Sequence, residues 1–554
     1  MSESAFAYHE PSIATILNQT GLLLVLNIIN TCLDKLLYCG LIGQLFVGIL
    51  WGTPGAKWLD RDVETVIQQL GYLGLIMLVY EGGLSTSLSS LRANMYLSIA
   101  VALTGICVPM ALSFILMEMV NATPLQAFAA GASLSATSLG TTFTILSTTG
   151  LVTTRLGTVT TSAAMLDDIV GLVMVQIISN LGGSGDSFSA VTVVRPLFVS
   201  LGFGIGVALA CRFVLRPILL RVLQSKEKFP GFMSSIQFAF LGYTALLVGM
   251  VAGATYAGTS SLFAAYLAGV IASWFDGLNA SSSSATESSG RPQATDAACS
   301  ESQSSSNHNS VTGLDVYEHY YAGPVKRILI PMFFASIGFA IPITEMFHGT
   351  VVWRGFVYAI LMTFGKMCTG LWLVRFLPVS GLATFVRALT APLRYAKSCL
   401  RTSKPKDKKG HKEKAQRPEQ GEEMTQTNKA SPSEPVSGNQ DETTSQQQPQ
   451  HHSSSAPPKP KSLYPASILS LAMVARGEIG YLIASLAESN QIFGQTEPGT
   501  SSETYLVVVW AISLCTLVGP ISVGSLVRRV KSLQQQRERA GAGAAGDPLG
   551  VWGV

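Results

Sequence analysis

Thr161-Ser-Ala-Ala-Met-Leu-Asp-Asp-Ile-Val-Gly-Leu-Val-Met174 sets two adjacent carboxylates, Asp167 and Asp168, inside an apolar run covering residues 157–181. A helix of that length crosses the ~30 Å of hydrocarbon in a bilayer. Asp168 then lies about 16 Å from the start of the helix, close to the midplane. An ionisable group at that depth costs several kcal/mol, so it marks either a packing bridge or a site of ion chemistry.

Working outward, the chain alternates such runs with short polar links. Of its 554 residues 48% are hydrophobic and only 13% charged, and the mean hydropathy is +0.37. Soluble domains carry about 25% charged residues, so the composition excludes an ordinary soluble domain. About thirteen apolar segments can be drawn, most near the ~20 residues a spanning helix needs. The expected fold is an all-α polytopic membrane protein of about 13 transmembrane helices. With the N-terminus outside, Arg92, Arg155, Arg212, Arg216, Arg221, Lys226, Lys228, Arg528, Arg529 and Lys531 all fall on the cytoplasmic side, as the positive-inside rule requires. A miscounted span early in the chain would scramble that pattern. The segment following no basic leader or cleavage site is expected to be retained as an anchor.

Other charges lie at matching depth. Lys366 sits in Phe364-Gly-Lys-Met-Cys-Thr-Gly370, and Arg476 and Glu478 in Ala475-Arg-Gly-Glu-Ile-Gly480. Two neighbouring carboxylates in low dielectric cannot both ionise cheaply. They point about 100° apart on a helix, so one can meet Lys366 while the other faces a cavity. A group so placed holds a proton or a bare cation but not both, and that competition is the chemistry of exchange. A packing bridge needs one acid rather than two. For Arg476 and Glu478 the bland alternative, a buried salt bridge that fixes helix packing, stays open.

The backbone adds a second signal. The fifth apolar segment reads Gly131-Ala-Ser-Leu-Ser-Ala-Thr-Ser-Leu-Gly-Thr-Thr-Phe143, crowded with small polar residues at mid-depth, and the twelfth carries Arg-Gly-Glu-Ile-Gly at the same depth. Interruptions at corresponding positions of two halves point to an inverted-repeat transporter, although small residues also mediate plain helix packing.

The domain organisation expected is a first membrane half over residues 1–276, a Ser-rich cytoplasmic loop over 277–320, and membrane helices over 321–377. A polar cytoplasmic insertion follows over 378–463, then membrane helices over 464–530 and a cytoplasmic tail over 531–554. The two polar stretches cannot bury enough apolar area to offset ordering entropy. The insertion includes the basic run Lys404-Pro-Lys-Asp-Lys-Lys-Gly-His-Lys-Glu-Lys414, which suits anionic lipid or merely a solvated face. The eight cysteines are scattered without a CxxC pair, so zinc and haem ligation are not expected, and no cofactor is. Glu81, near the inner end of its span, is expected to pair at the interface with a residue such as Arg92.

Ala136-Thr-Ser138, followed after about thirty residues by Leu166-Asp-Asp-Ile-Val-Gly-Leu172, resembles the cation:proton antiporter superfamily. Pro331-Met-Phe-Phe-Ala-Ser-Ile-Gly338 is similar to that family's PLFFxxxG stretch. Ala475-Arg-Gly-Glu-Ile-Gly480 is similar to its PRGExG segment, with Ala475 in place of proline. The resemblance implies a sodium/proton antiporter fold with two crossed broken helices, a homodimer, and a mobile core that moves like an elevator. It also implies that Asp168 is the main cation and proton site, transiently holding Na⁺ or K⁺. Asp167 would pair with Lys366, and Thr137 and Ser138 would line the crossing. The Asp-Asp pair with Lys366 resembles the electrogenic subgroup, which implies two protons per cation. The long cytoplasmic insertions suggest a eukaryotic, fungal-type member.

The function expected is therefore exchange of Na⁺ or Li⁺ for protons, with K⁺ as the same-fold alternative. A cation channel or non-transporting sensor is the alternative of another class, and a channel would need a continuous polar path rather than polar groups clustered at mid-depth. An intramembrane aspartyl protease needs two aspartates brought together from separate helices, so no enzyme is expected. The partners expected are the cation, protons and lipid, with no nucleic acid. The membrane, plasma or endomembrane, is left open.

Overall fold

The computed structural model describes residues 10–37, 40–86, 94–138, 140–142, 146, 150–152, 154–181, 190–217, 236–287, 312–374, 463–494, 501–539, 548–549 and 552–553. All regular structure among them is helical. In order, the α-helices of eight residues or more are α1 (Ile13–Leu37), α2 (Gly40–Trp51), α3 (Arg61–Leu84), α4 (Met95–Leu112), α5 (Pro124–Ser135), α6 (Arg155–Leu181), α7 (Ala190–Ala210) and α8 (Ile236–Ala257). There follow α9 (Ser261–Glu287), α10 (Gly313–Tyr320), α11 (Ile330–Phe339), α12 (Gly349–Met367), α13 (Tyr464–Ala472), α14 (Glu478–Ser489) and α15 (Glu503–Arg539).

Ten spans among the described helices are long and apolar enough to cross a membrane, counting the short helical segments that carry α4 on to Met119, α7 to Leu215 and α12 to Val374, and that begin the α11 span at Ala322. The remaining segments expected from the sequence are the short α2 and the two interrupted ones, α5 and α13–α14, which fall below that length. The purely helical solution follows from the solvent: hydrocarbon offers no partner for a backbone N–H or C=O, so each span satisfies its own.

The helices form two groups. One contains α1, α2, α3, α8, α9, α10 and α11, and the other α4, α5, α6, α12, α13, α14 and α15. Helix α7 packs mainly on α6 and lightly on α8. Across the seam the contacts are sparse, chiefly α6 against α9 and α14 against α11.

Inside lipid, helices gain little from burying apolar area and associate through close packing instead. The first group shows this. A Cβ added at Gly48 of α2 would lie 2.2 Å from the Ala335 carbonyl oxygen of α11, and one at Gly338 would lie 2.4 Å from that of Leu45. Gly83 of α3 and Gly269 of α9 approach each other in the same way. Gly48→Val is therefore expected to force α2 and α11 apart, at a cost at or above the ~1–3 kcal/mol typical of overpacking. A thermal unfolding curve of the detergent-solubilised protein checks it; an unchanged midpoint would mean these helices do not touch there.

Two features lie where the sequence suggested a plain Ser-rich loop. Helix α9 continues to Glu287, and α10 forms just before the next span. Thr312 and Asp315 make a reciprocal capping box that starts α10, satisfying donors at its first turn. Its Val316 and Tyr317 are buried against α3, α8 and α9. Burial, and then the nearby Glu81 carboxylate, push the Tyr317 phenol far above its ordinary value. It donates to Glu81 Oε2 at 3.0 Å, and Lys326 Nζ lies 2.9 Å from Glu81 Oε1. Glu81 thus pairs with Lys326; Arg92, the partner expected from the sequence, lies outside the described residues, as does the expected insertion over 378–463 apart from its last residue.

Candidate functional site

The two interrupted segments meet in the second group. Helix α5 ends at Ser135, and its C-cap Ala136 is extended at φ −61, ψ 139. Helix α13 ends at Ala472, and α14 restarts at Glu478 after the extended Gly477. Between them the backbones are joined by Ser138 N–H donating to the Ala475 carbonyl at 2.9 Å. The Thr142 hydroxyl reaches both the Ser138 carbonyl at 2.8 Å and that of Ala472 at 3.1 Å. These bonds replace those each helix loses by stopping at mid-span.

Glycine makes the approach possible. A Cβ on Gly477 would meet the Ser138 side chain at 2.6 Å, and one on Gly480 would meet the Ser133 carbonyl at 2.7 Å.

Arg476 and Glu478, for which a mutual salt bridge stayed open in the sequence, do different work. Arg476 is fully buried and donates from Nη1 to the carbonyls of Ser135 at 3.2 Å and Ala136 at 3.0 Å. It therefore neutralises the partial negative charge at the C-terminal end of α5. Glu478 is the first residue of α14, where a carboxylate complements the positive end of the helix. Ser138 Oγ lies 3.5 Å from Glu478 Oε2. Ion pairs among the described residues do not include one between Arg476 and Glu478.

Next to the crossing, α6 presents its two aspartates. Lys366, in the last turn of α12, donates from Nζ to Asp167 Oδ2 at 2.8 Å and to Thr137 Oγ1 at 2.8 Å, with both charged side chains 0% exposed. The Thr137 hydroxyl in turn donates to Asp167 Oδ2. Lys366, Thr137 and Asp167 thus close a three-membered ring that joins α12, the first interruption and α6. Room for the ammonium comes from Gly105 of α4, where a Cβ would stand 3.3 Å from Nζ. Nothing in the sequence reading singled out Gly105; a glycine midway along an apolar span was the available signal.

Asp168 has a different environment. It is buried, 8% exposed, and its Oδ1, like that of Asp167, has no hydrogen-bond partner among the described residues. Asp167 shares its charge with Lys366, whereas the ion pairs among the described residues include none to Asp168. A proton or a hard monovalent cation would suit an oxygen in that position. The site thus brings together Asp167, Thr137 and Lys366 directly, with Ser138, Arg476 and Glu478 forming the adjoining crossing.

Comparison with known proteins bears on what this arrangement is. The profile of the family "Sodium/hydrogen exchanger, transmembrane" matches residues 22–396, more than half of the chain. The chain belongs to the sodium/hydrogen exchanger family. That is a family of integral, multi-pass membrane transporters rather than enzymes. Among curated relatives, the chain is 30% identical over 211 residues to the high-affinity Na⁺/H⁺ antiporter NhaS3 of Synechocystis, covering 38% of the chain and 46% of that protein. It is 28% identical over 221 residues to the Na⁺/H⁺ antiporter of Enterococcus hirae, covering 39% and 57%. These matches span about half the length of the relatives. The solved sodium proton antiporter MjNhaP1 of Methanocaldococcus jannaschii shares the fold, at a TM-score of 0.51 and 13% identity, covering 93% of this chain and 99% of that one.

Proposed function

We propose that this exchanger-family chain is a secondary antiporter that trades Na⁺ or Li⁺ for protons, with Asp168 as the group both compete for. The observation that carries the reading is the division of labour in α6. Each aspartate has a buried Oδ1 without a hydrogen-bond partner, but only Asp167 has its other oxygen held by Lys366 and Thr137, and the ion pairs among the described residues include none to Asp168. Thr137 and Ser138 supply the oxygen-rich wall, and Arg476 and Glu478 keep the broken backbone electrostatically balanced. In that arrangement a bound cation excludes the proton from Asp168 and a bound proton excludes the cation. One is released before the other binds, which is the requirement for exchange without leak.

Alternating access is proposed to be an elevator motion of the second helix group against the first. Two observations support it: the contacts across the seam are sparse, and α6 and α14, which carry site residues, face it together with α15. The first group would be the stationary one. Its outer helix α1 exposes Ile13, Ile16, Leu17, Leu24 and Ile28, a surface suited to lipid or to a second copy in a homodimer. We read the chain as electrogenic, two protons per cation: the Asp168 carboxyl gives up one proton and the Lys366 ammonium the second as the cation binds, and both are regained when it leaves.

K⁺ in place of Na⁺ is the second reading, supported by the 29% identity over 156 residues to a protein named the Na⁺/H⁺-K⁺ antiporter GerN of Bacillus cereus. The membrane in which the chain works, plasma membrane or endomembrane, is not part of the proposal.

The test is proton flux in proteoliposomes holding a pH-sensitive dye. Addition of Na⁺ or Li⁺ is expected to collapse an imposed pH gradient; K⁺ alone doing so would select the second reading, and inertness to all three would sink the antiporter. Under an imposed voltage the flux is expected to reverse at a potential set by two protons per cation, and one-for-one reversal would remove that stoichiometry.

A further inference from the structure

At the end of the second helix group opposite to the α5 N-terminus, the chain returns to itself. Past α15, Leu549 and Trp552 are 1% and 8% exposed. They sit in one apolar cluster with Leu151, Leu156 and Val159 around the start of α6, and with Val527 and Val530 of α15. The Trp552 ring carries the Arg155 guanidinium over its face at 5.0 Å from the centroid. The Trp552 backbone N–H donates to the Leu549 carbonyl at 3.2 Å.

A polar, Gly- and Ala-rich stretch, Arg539-Ala-Gly-Ala-Gly-Ala-Ala-Gly-Asp547, precedes these residues in the sequence. The apolar anchor is therefore separated from α15 by chain with little to bury of its own. The same cluster receives Leu373, just before the polar insertion, and Tyr464 just after it. Arg155 together with Arg528, Arg529 and Lys531 places this face in the cytoplasm by the positive-inside rule.

We propose that the cytoplasmic face of the second helix group holds a docking site for the chain's own Leu549 and Trp552, read by an apolar cluster with Arg155 against the Trp552 ring. Its occupant clamps the first turns of α6, the helix that carries Asp167 and Asp168 three turns further along. An aromatic ring under a guanidinium gains from both desolvated contact and the ring quadrupole, so Trp552 is the anchor and Leu549 its second contact. Both are positioning residues, acting on the ion site through α6. The proposal goes beyond the transport reading, and its structural part stands without it.

The experiment uses the full chain, wild type beside Trp552→Ala and Trp552→Phe, followed by amide hydrogen exchange. Trp552→Ala is expected to speed exchange in residues 154–160 by roughly tenfold or more, the scale of losing one large buried side chain, with α3 and α9 unaffected and Trp552→Phe close to wild type. Unchanged exchange at the start of α6, or equal acceleration in all helices, would overturn the docking site. Arg155→Gln leaves the cluster filled and removes only the charge; it is expected to give a smaller rise at the same residues, and no rise would overturn the role of Arg155. In the flux assay Trp552→Ala is expected to raise the cation concentration for half-maximal exchange severalfold, with Trp552→Phe restoring it. An unshifted value would overturn the coupling to the ion site. Absence of flux in the wild type as well would strike the transport reading and leave the exchange result standing.

Discussion

Asp168→Asn is expected to reduce cation-driven proton flux to that of empty liposomes while the protein stays folded. The amide keeps the shape of the carboxylate, so packing in α6 is retained. It has neither a proton to release nor a charge to hold a cation. The folded protein also loses a ligand: a site that binds only the native state contributes about 2.7 kcal/mol at a hundredfold excess over Kd, and that contribution disappears in the variant. Thermal unfolding with and without saturating Na⁺ or Li⁺ thus reads binding independently of flux. Wild type is expected to shift with the cation and Asp168→Asn is not. Flux at the wild-type level in the variant would transfer the site elsewhere.

Lys366→Ala is expected to be the most destabilising single change at the site. Lys366 is fully buried and bonded to both Asp167 and Thr137. Its removal leaves the Asp167 carboxylate in low dielectric without its counter-ion, a defect that costs about 3–5 kcal/mol when one partner of a buried pair is deleted. The ring joining α12, the first interruption and α6 opens at the same time. Asp167→Asn combined with Lys366→Ala removes both charges and is expected to recover much of the loss, because the penalty lies in the orphaned charge. A double-mutant cycle on thermal stability in membranes or detergent checks this. Simple additivity of the two single changes would mean that the bond at 2.8 Å contributes little. The doubly substituted protein retains Asp168, so residual exchange in it would report whether the pair serves transport itself or only holds the crossing.

What was legible in the chain was whatever a local cost determines. Burying a charge in hydrocarbon is expensive wherever it occurs, so Asp167, Asp168, Lys366, Arg476 and Glu478 announced themselves by depth alone. Hydropathy delimits spans because each helix must satisfy its own backbone. Small polar runs betray interruption: the first, Ala136–Ser138, lies inside the run the sequence singled out, while the second, Met473–Gly477, starts earlier and shares only Arg476 and Gly477 with the expected stretch.

Pairing was beyond such reading. Lys366 and Asp167 are 199 positions apart, and Arg476 reaches a carbonyl 340 positions away. No local cost selects among the acids and bases that share a depth. That choice rests on which helix faces which, and in a bilayer this is decided by close packing at positions such as Gly105, Gly477 and Gly480, where a missing Cβ sets the distance. The sequence by itself therefore determined that the chain spans a membrane, where it breaks, and which charges lie deep. The family resemblance implied that Asp167 pairs with Lys366; only the tertiary structure decided that Thr137 bonds to both, and that Arg476 and Glu478 serve opposite helix ends instead of each other. It also decided that Leu549 and Trp552 return to the start of α6, because each of these depends on side-chain contacts that exist only once distant helices have packed.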